Sequence, residues 1–371
     1  MKEGSKLLVV DVGDIFVQGL LFVINNDQLE LTARSRYMRS VEDSDMIEAI
    51  RNEYRGRYDQ IEVISDRSVW LSNALKINSA NGLTIGIIIN GNDTYIGSSS
   101  YGRLLTVKRF DYGIAQKLDD TLQTKVDYLK EWIKVTHRES DISAIMNQIG
   151  NLRLYPGIKH VSVYSQVAML GVIRCILDQV KQNFVFFEED SVGFTRGSHR
   201  IIISGEMLDY IDGVGGVLLA VLDALELEGV WEILIDMKNT LVSLGYHGLS
   251  SVRVDTNLLE MPSVGTVLIP THKYPWGTKL GDMQIDVGLS EDQKVILKSG
   301  EVIRIPLEKD VRGAIALNVK PGVEIIGYRG LEKINAGLLG LIIDVRGRPL
   351  PDFATEDRYQ KKYSHWLDAL T

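Results

Sequence analysis

The chain states one short theme twice. Leu7-Leu8-Val9-Val10 is an unbroken apolar run that stops at Asp11-Val12-Gly13-Asp14 and resumes at Gly19-Leu20-Leu21-Phe22-Val23. Asn25-Asn26-Asp27 reads as a second turn, because Asn and Asp tolerate left-handed backbone, and a third strand runs on to Arg34. From Thr84 the theme returns. Thr84-Ile85-Gly86-Ile87-Ile88-Ile89 is an apolar strand, Gly91-Asn92-Asp93 a turn, Thr94-Tyr95-Ile96 a second strand and Leu104-Leu105-Thr106-Val107 a third. Each copy is followed by sequence of helical character. This predicts a duplicated α/β architecture.

The rest of the chain falls into three textures. Met46 to Tyr54 reads as helix and Gln60 to Ile64 as strand. In the middle, Val161, Ser165, Ala168, Met169, Val172, Ile173, Ile176, Leu177 and Val180 recur at helical spacing and predict one long helix with a core face. Strand Ile201-Ile202-Ile203 leads to Ser204-Gly205. Gly213-Val214-Gly215-Gly216 opens an apolar helix to Leu227, and Trp231 to Asp236 is a further strand. After Pro262 short β-like runs alternate with Gly, Pro and Asp, at 264–269, 283–287, 295–297, 302–306, 315–319 and 338–345, which suggests a sandwich or barrel. At the end, Tyr359, Tyr363, Trp366 and Leu370 share one helical face, which either docks on its own domain or binds a partner.

Composition narrows the function classes. A net charge of −8 over 371 residues argues against a nucleic-acid role, which needs a concentrated positive face. The single cysteine, Cys175, allows no internal disulfide and fits a cytoplasmic location. No apolar run approaches the ~20 residues that span a bilayer, and the charged start at Lys2 and Glu3 is unlike a signal segment. The six histidines show no metal-ligand spacing, Cys175 sits on the apolar helix as a core residue, and no local Ser-His-Asp or Cys-His arrangement stands out.

The two strand–turn–strand units resemble the phosphate loops of actin-like and sugar-kinase-like ATPases. Such a site grips nucleotide between two hairpin loops, each offering backbone N–H groups and hydroxyls to phosphate and an acid to the metal or its waters. The resemblance implies the pattern Asp-x-Gly-Ser/Thr in the first loop. This chain keeps Asp11, the implied metal acid, and Gly13, but has Asp14 at the hydroxyl position, then Ile15, Phe16 and Val17, with Gln18 the nearest polar group. The second loop keeps Gly91 and Thr94. Its acid position falls on Ile89 or Asn90, and Asp93 lies elsewhere in the loop. The adenosine-side motif, a small residue followed by two glycines, reads Ser204-Gly205-Glu206. The cofactor implied is ATP with Mg²⁺, and the departures at all three loops argue against its efficient hydrolysis.

A second resemblance is longer. Gly340-Leu341-Ile342-Ile343-Asp344-Val345-Arg346-Gly347-Arg348-Pro349-Leu350-Pro351 resembles the closing motif of the glutamate mutase accessory protein family (the GlmL, or MutL, proteins). Val264 to Pro270, the stretch from Asp223 to Asp236, and Asn151-Leu152-Arg153-Leu154-Tyr155-Pro156 are similar to segments of the same family. The resemblance covers about residues 84–371 and, more weakly, 5–34, and the chain is short between Arg34 and Thr84 relative to that family. Arg346 and Arg348 either hold an acidic patch, on a partner or across a domain interface, or pair locally with Asp344 or Asp352.

The expectation is therefore an α/β fold with duplicated actin-like (ribonuclease H-like) domains and a C-terminal β-rich domain. Its divisions are 1–80 and 81–258 for the two actin-like halves, 259–353 for the β-rich domain and 354–371 for a final helix. The nucleotide-side candidates are Asp11, Gly13, Asp14, Gly91, Asp93, Thr94, Ser204 and Gly205. The expected role is a pseudo-ATPase acting as a binding, scaffolding or chaperone-like accessory of a protein partner, with oligomerisation open. The alternatives are an active ATP-dependent reactivating factor for a cobalamin-dependent mutase, with Asp93 or Asp14 standing in for the missing acid, and an actin-like assembly protein of a cell-division or pilus-type machine.

Overall fold

Leu7, Leu8, Val9 and Val10 are all fully buried, which is why the first strand runs apolar without alternation: both of its faces are covered. The structure is a computed structural model. It describes residues 2–39, 42–64, 66–79, 82–114, 163–183, 199–211, 213–246, 253–254, 261–286, 293–308, 312–328, 331–350 and 357–370. The candidate linker at 151–156 lies outside them.

The first lobe is built from β1 (Lys6–Val12), β2 (Phe16–Asn25), β3 (Gln28–Met38), α1 (Asp43–Glu53), β4 (Gln60–Val63) and α2 (Arg67–Asn78). β1, β2 and β3 form an antiparallel meander, and β4 returns parallel to β1 on its far side. The second lobe repeats this path with β5 (Leu83–Ile89), β6 (Thr94–Ser100), β7 (Arg103–Phe110), α3 (Val163–Asn183), β8 (His199–Ser204), α4 (Val214–Leu225) and β9 (Gly229–Ile235). β5, β6 and β7 are again an antiparallel meander, β8 is parallel to β5, and β9 parallel to β8. The meander edge, the first strand and the crossover strand thus fall in the same spatial order in both lobes. The duplication expected from the sequence is present in the sheets: this is a mixed α/β fold whose two lobes share one strand order.

β11 (Ser263–Ile269) pairs antiparallel with β9, and β17 (Gly340–Asp344) and β14 (Val302–Ile305) continue outward, so the second lobe's sheet reaches eight strands. Hydrogen bonding therefore runs across the domain boundary expected at 258/259. A separate four-stranded sheet contains β12 (Lys279–Asp286), β13 (Gln293–Lys298), β15 (Arg312–Val319) and β16 (Leu331–Asn335). It packs on the outer strands through Leu280, Met283, Ile285, Leu297 and Ile315 against Leu268, Ile305, Leu341 and Ile343. The β-rich region is thus two-layered, and one layer belongs to the larger sheet. The two-residue β10 (Arg253–Val254) pairs with the edge of β3.

The helix α2 lies between the lobes. Its Leu71, Ala74 and Leu75 share one core with Leu7, Val9, Leu20 and Phe22 of the first sheet and with Ile88, Ile202 and Leu234 of the second. The terminal α5 (Asp357–Leu370) docks in cis: Trp366 and Leu370 are fully buried in the second lobe's core, and the Trp366 indole N–H donates to the Gly300 carbonyl at 3.1 Å. Among the described residues no helix is long and apolar enough to cross a membrane.

Candidate functional site

The turn after β1 and the turn after β5 face each other across the junction of the lobes, with the residues after β8 between them. Gly13 closes the first turn, its N–H donating to the Phe16 carbonyl at 2.7 Å. A Cβ on Gly13 would lie 2.6 Å from the backbone carbonyl oxygen of Phe16 and 2.4 Å from Glu206 Oε1, so the tight turn beside that carboxylate favours glycine. Gly205 holds φ at +115°, and a Cβ there would lie 2.3 Å from the Ile89 carbonyl oxygen. That backbone turns Glu206 back into the gap between the loops.

Glu206 then meets both loops. Its Oε1 accepts the N–H of Ile15 at 2.9 Å and of Phe16 at 3.0 Å, and its Oε2 accepts the N–H of Gly91 at 3.0 Å. Asp14 adds a reciprocal contact, its carboxylate accepting the Asn92 N–H at 2.8 Å. Glu206 is buried, and that burial pushes its carboxyl up to about 6 despite the N–H donors from Ile15 and Phe16. Asp14 nearby raises it further, and Arg67 opposes the rise.

Asp11, the expected metal acid, is paired with Arg67 at the start of α2. The guanidinium donates to Asp11 Oδ1 at 2.6 and 3.2 Å and to the Val12 carbonyl at 3.1 Å. Burial alone would lower the Arg67 pKa, but the adjacent Asp11 carboxylate holds it above its ordinary value. Gln18 bridges the lobes, donating to the Asn239 carbonyl at 3.0 Å while Arg34 donates to its Oε1 at 3.1 Å. Arg36 lies 3.5 Å over the Phe16 ring and forms an ion pair with Asp209 in the turn that follows Glu206.

The remaining expected site residues are engaged elsewhere. Thr94 is fully buried and its hydroxyl donates to the Tyr112 carbonyl at 2.8 Å. Asp93 accepts from the Asn90 amide and the Tyr95 hydroxyl, both at 2.9 Å, and pairs with Arg109 at 3.3 Å. Ser204 donates to Asp236 at 2.7 Å, and the Gly205 N–H donates to the Asn239 side chain at 2.8 Å. Asp236 is fully buried, which raises its pKa against the donors Thr240, Leu241 and Ser204. Ile89, one of the two positions where the second-loop acid would fall, is core. Among the described residues no group of three or more His, Cys, Asp or Glu is placed to hold a metal ion.

The space left among Asp11, Gln18, Arg67, Asn90, Gly205 and Glu206 is a cavity of about 20 Å³. That is room for about one water, which needs roughly 10–15 Å³. A ligand pocket is typically about 300–1,000 Å³. ATP with Mg²⁺ does not fit these residues in this arrangement. A negative side chain occupies the N–H groups that would meet phosphate, and a guanidinium occupies the acid that would meet the metal.

Arg346 and Arg348 lie away from the cleft and inside the protein. Arg346 donates to both oxygens of Asp344 at 2.7 Å, pairs with Asp223 of α4, and lies 4.8 Å from the Trp366 ring centroid. Arg348 donates to Asp344 at 2.8 Å and to the Leu227 carbonyl at 3.0 Å. Burial would raise the Asp344 pKa, but the two arginines hold it well below the usual carboxylate range. The cluster ties β17 to α4 and α5. Beside it lies an open cavity of about 380 Å³, lined by His272, Lys273, Tyr274, Glu324 and Arg348.

Sequence pattern alone does not mark Arg67, Asn239 or the role of Glu206. The lost second glycine at 206 was the one visible signal. Nothing local marks Arg67, whose partner lies 56 positions away.

No protein-family model matches this sequence, and no curated protein matches it. Solved structures do. The activator of the 2-hydroxyisocaproyl-CoA dehydratase from Clostridium difficile, with bound ADPNP, is 14% identical with a TM-score of 0.36, covering 66% of this chain and 94% of that one. The ethanolamine utilization protein EutJ from Carboxydothermus hydrogenoformans is 13% identical with a TM-score of 0.39, over 66% and 89%. MreB 5 of Spiroplasma citri, bound to AMPPNP, is 10% identical with a TM-score of 0.35, over 66% and 95%. The mixed α/β fold rests on the chain's own sheets, and these likenesses accompany it.

Proposed function

We propose that this chain is a degenerate actin-like protein that works by binding a protein partner, as an accessory, scaffolding or chaperone-like factor, without efficient ATP hydrolysis. The observation that carries this reading is the Glu206 carboxylate seated on the N–H groups of Ile15, Phe16 and Gly91. A phosphate would have to displace it, and a metal would have to displace Arg67 from Asp11. Isothermal titration with ATP and Mg²⁺, followed by a phosphate-release assay, tests the reading. No turnover is expected. Robust turnover that Asp11→Ala abolishes would sink it in favour of an active ATPase.

The finer reading, an accessory factor of a cobalamin-dependent mutase, rests on the string from Gly340 to Pro351. A mutase subunit encoded beside this chain supports it, whereas division or secretion genes favour an assembly role. Light scattering at rising concentration, with and without nucleotide, separates the two. A concentration-independent monomer counts against assembly.

A further inference from the structure

Side chains tie the two lobes together across the cleft at separate points. Glu206, after β8, accepts the N–H groups of Ile15 and Phe16 in the first lobe. Asp14 of the first turn accepts the Asn92 N–H of the second turn at 2.8 Å. Gln18 on β2 donates to the Asn239 carbonyl at 3.0 Å, and Arg36 on β3 pairs with Asp209. Behind these links, α2 is fastened on two sides. Arg67 at its start holds Asp11 and the Val12 carbonyl of the first lobe. Further along, the Trp70 ring stacks on Tyr246, 6.0 Å between centroids, and Asn73 donates to the Gly245 carbonyl at 3.2 Å. Both of those partners lie in the segment after β9. We propose that these contacts lock the lobes shut without any ligand, so that the chain has one closed arrangement and no nucleotide-driven cycle of opening and closing. The proposal rests on the reading of the cleft as catalytically silent and adds what the silent cleft does: it holds the shape that a partner meets.

A hinge motion needs an interface that can part. Each polar link across this one contributes modestly, because water would replace it in an open state. The links start from the first turn, β2 and β3 and end on the second turn, the turn after β8 and the stretch after β9, so they are spread over the facing surfaces and opening breaks them together. Opening also pulls α2 from one side of a core that joins Leu71 and Leu75 to Leu20 of the first sheet and Ile202 of the second, which exposes apolar surface to water. The backbones already touch there: a Cβ on Gly245 would lie 1.8 Å from the Trp70 carbonyl oxygen. The cleft itself keeps a cavity of about 20 Å³, so the lobes meet along its depth with no ligand between them. Proteins that switch between two arrangements keep the minor one at about 0.1–10%. The links and the shared core together push an open state below that window.

The test measures the distance between the lobes. Nitroxides on Ala49→Cys in α1 and Arg103→Cys in β7, both exposed positions, report it by double electron–electron resonance, and the native Cys175 is buried. The labelled chain gives one narrow distance that ATP with Mg²⁺ leaves unchanged. Adding Gln18→Ala and Arg36→Ala broadens it toward longer values, and nucleotide does not restore it. Two distances in the labelled chain without those changes, or one that nucleotide shifts, overturn the proposal. So does a folded double variant whose distance stays narrow. If the double variant does not fold, hydrogen exchange on unlabelled protein decides. In wild type the amides of Ile15, Phe16, Gly91 and Asn92 exchange as one group, at the rate of global unfolding. Asp209→Asn removes the ion pair, keeps the side-chain volume and speeds all four by the same factor, about two- to fivefold. Four unrelated rates in wild type, or a change confined to Ile15 and Phe16 in the variant, overturn the proposal. ATP turnover by wild type would sink the silent-cleft reading, whereas a silent wild type with two lobe distances sinks this inference alone.

Discussion

The Gly91 N–H donates to Glu206 Oε2 at 3.0 Å, joining residues 115 positions apart. The other oxygen of the same carboxylate holds Ile15 and Phe16 of the opposite lobe. One side chain therefore bridges two loops, and its protonation is coupled to their approach.

That coupling predicts a pH dependence. The folded-state pKa of Glu206 is raised to about 6 from the ordinary glutamate value of 4.5. The folded protein therefore binds this proton more tightly than the unfolded chain does. The contribution to stability is fully present below the unfolded pKa and is lost as pH rises through about 6, a change of about 2 kcal/mol. Glu206→Gln lacks this component. Urea unfolding of both proteins between pH 4 and 7 should give a wild-type-minus-variant difference that falls with pH. A difference that stays flat across this range refutes the assigned shift.

Arg67→Ala removes the partner of Asp11, whose side chain is only 10% exposed. Breaking a buried pair from one side costs about 3–5 kcal/mol, because the other charge is left without compensation. The double variant Asp11→Leu with Arg67→Met should recover most of that loss, since neither charge remains buried. Urea midpoints of the single and double variants check this, and equal losses in both would refute the pairing as the cause.

The sequence reveals strands where burial is continuous. β1 and β5 are apolar along their length because both faces are covered, so their turns stand out and the duplication can be read. α2 gives no such signal. It buries Leu71, Ala74 and Leu75, leaves Val69 54% exposed, and engages Asn73 with the Gly245 carbonyl, so its polarity has no clean helical period. Arg67, at its first position, is hidden with it. Glu206 was visible as a glycine lost from a motif, but its role needs donors 191, 190 and 115 positions away, which only the packed lobes bring together. The pairing of Arg346 and Arg348 with Asp344 was local enough to be considered from sequence, and the Asp223 contact was not.

Asp344 behaves oppositely to Glu206. Its folded-state pKa is depressed by Arg346 and Arg348, so its contribution is present above the unfolded carboxylate range and is lost as pH falls through the folded pKa. Arg346→Met leaves Asp344 and Asp223 buried without that guanidinium and removes the stack on Trp366, a loss of about 3–5 kcal/mol at neutral pH. Because the variant lacks most of the pull on Asp344, its deficit should narrow in acid. Guanidinium-chloride unfolding at pH 7 and pH 3 measures both values. A deficit that grows in acid would contradict the assignment.

Thr94 is the residue that most separates the fold's outline from a working phosphate loop. Its position fits the second-loop pattern, but its hydroxyl donates to the Tyr112 carbonyl at 2.8 Å and the residue has no exposed surface. Thr94→Val keeps the shape and leaves that carbonyl without its donor, which costs about 1–3 kcal/mol. The urea midpoint should drop with an unchanged slope. A midpoint that does not move would show that the bond to the Tyr112 carbonyl adds nothing to stability.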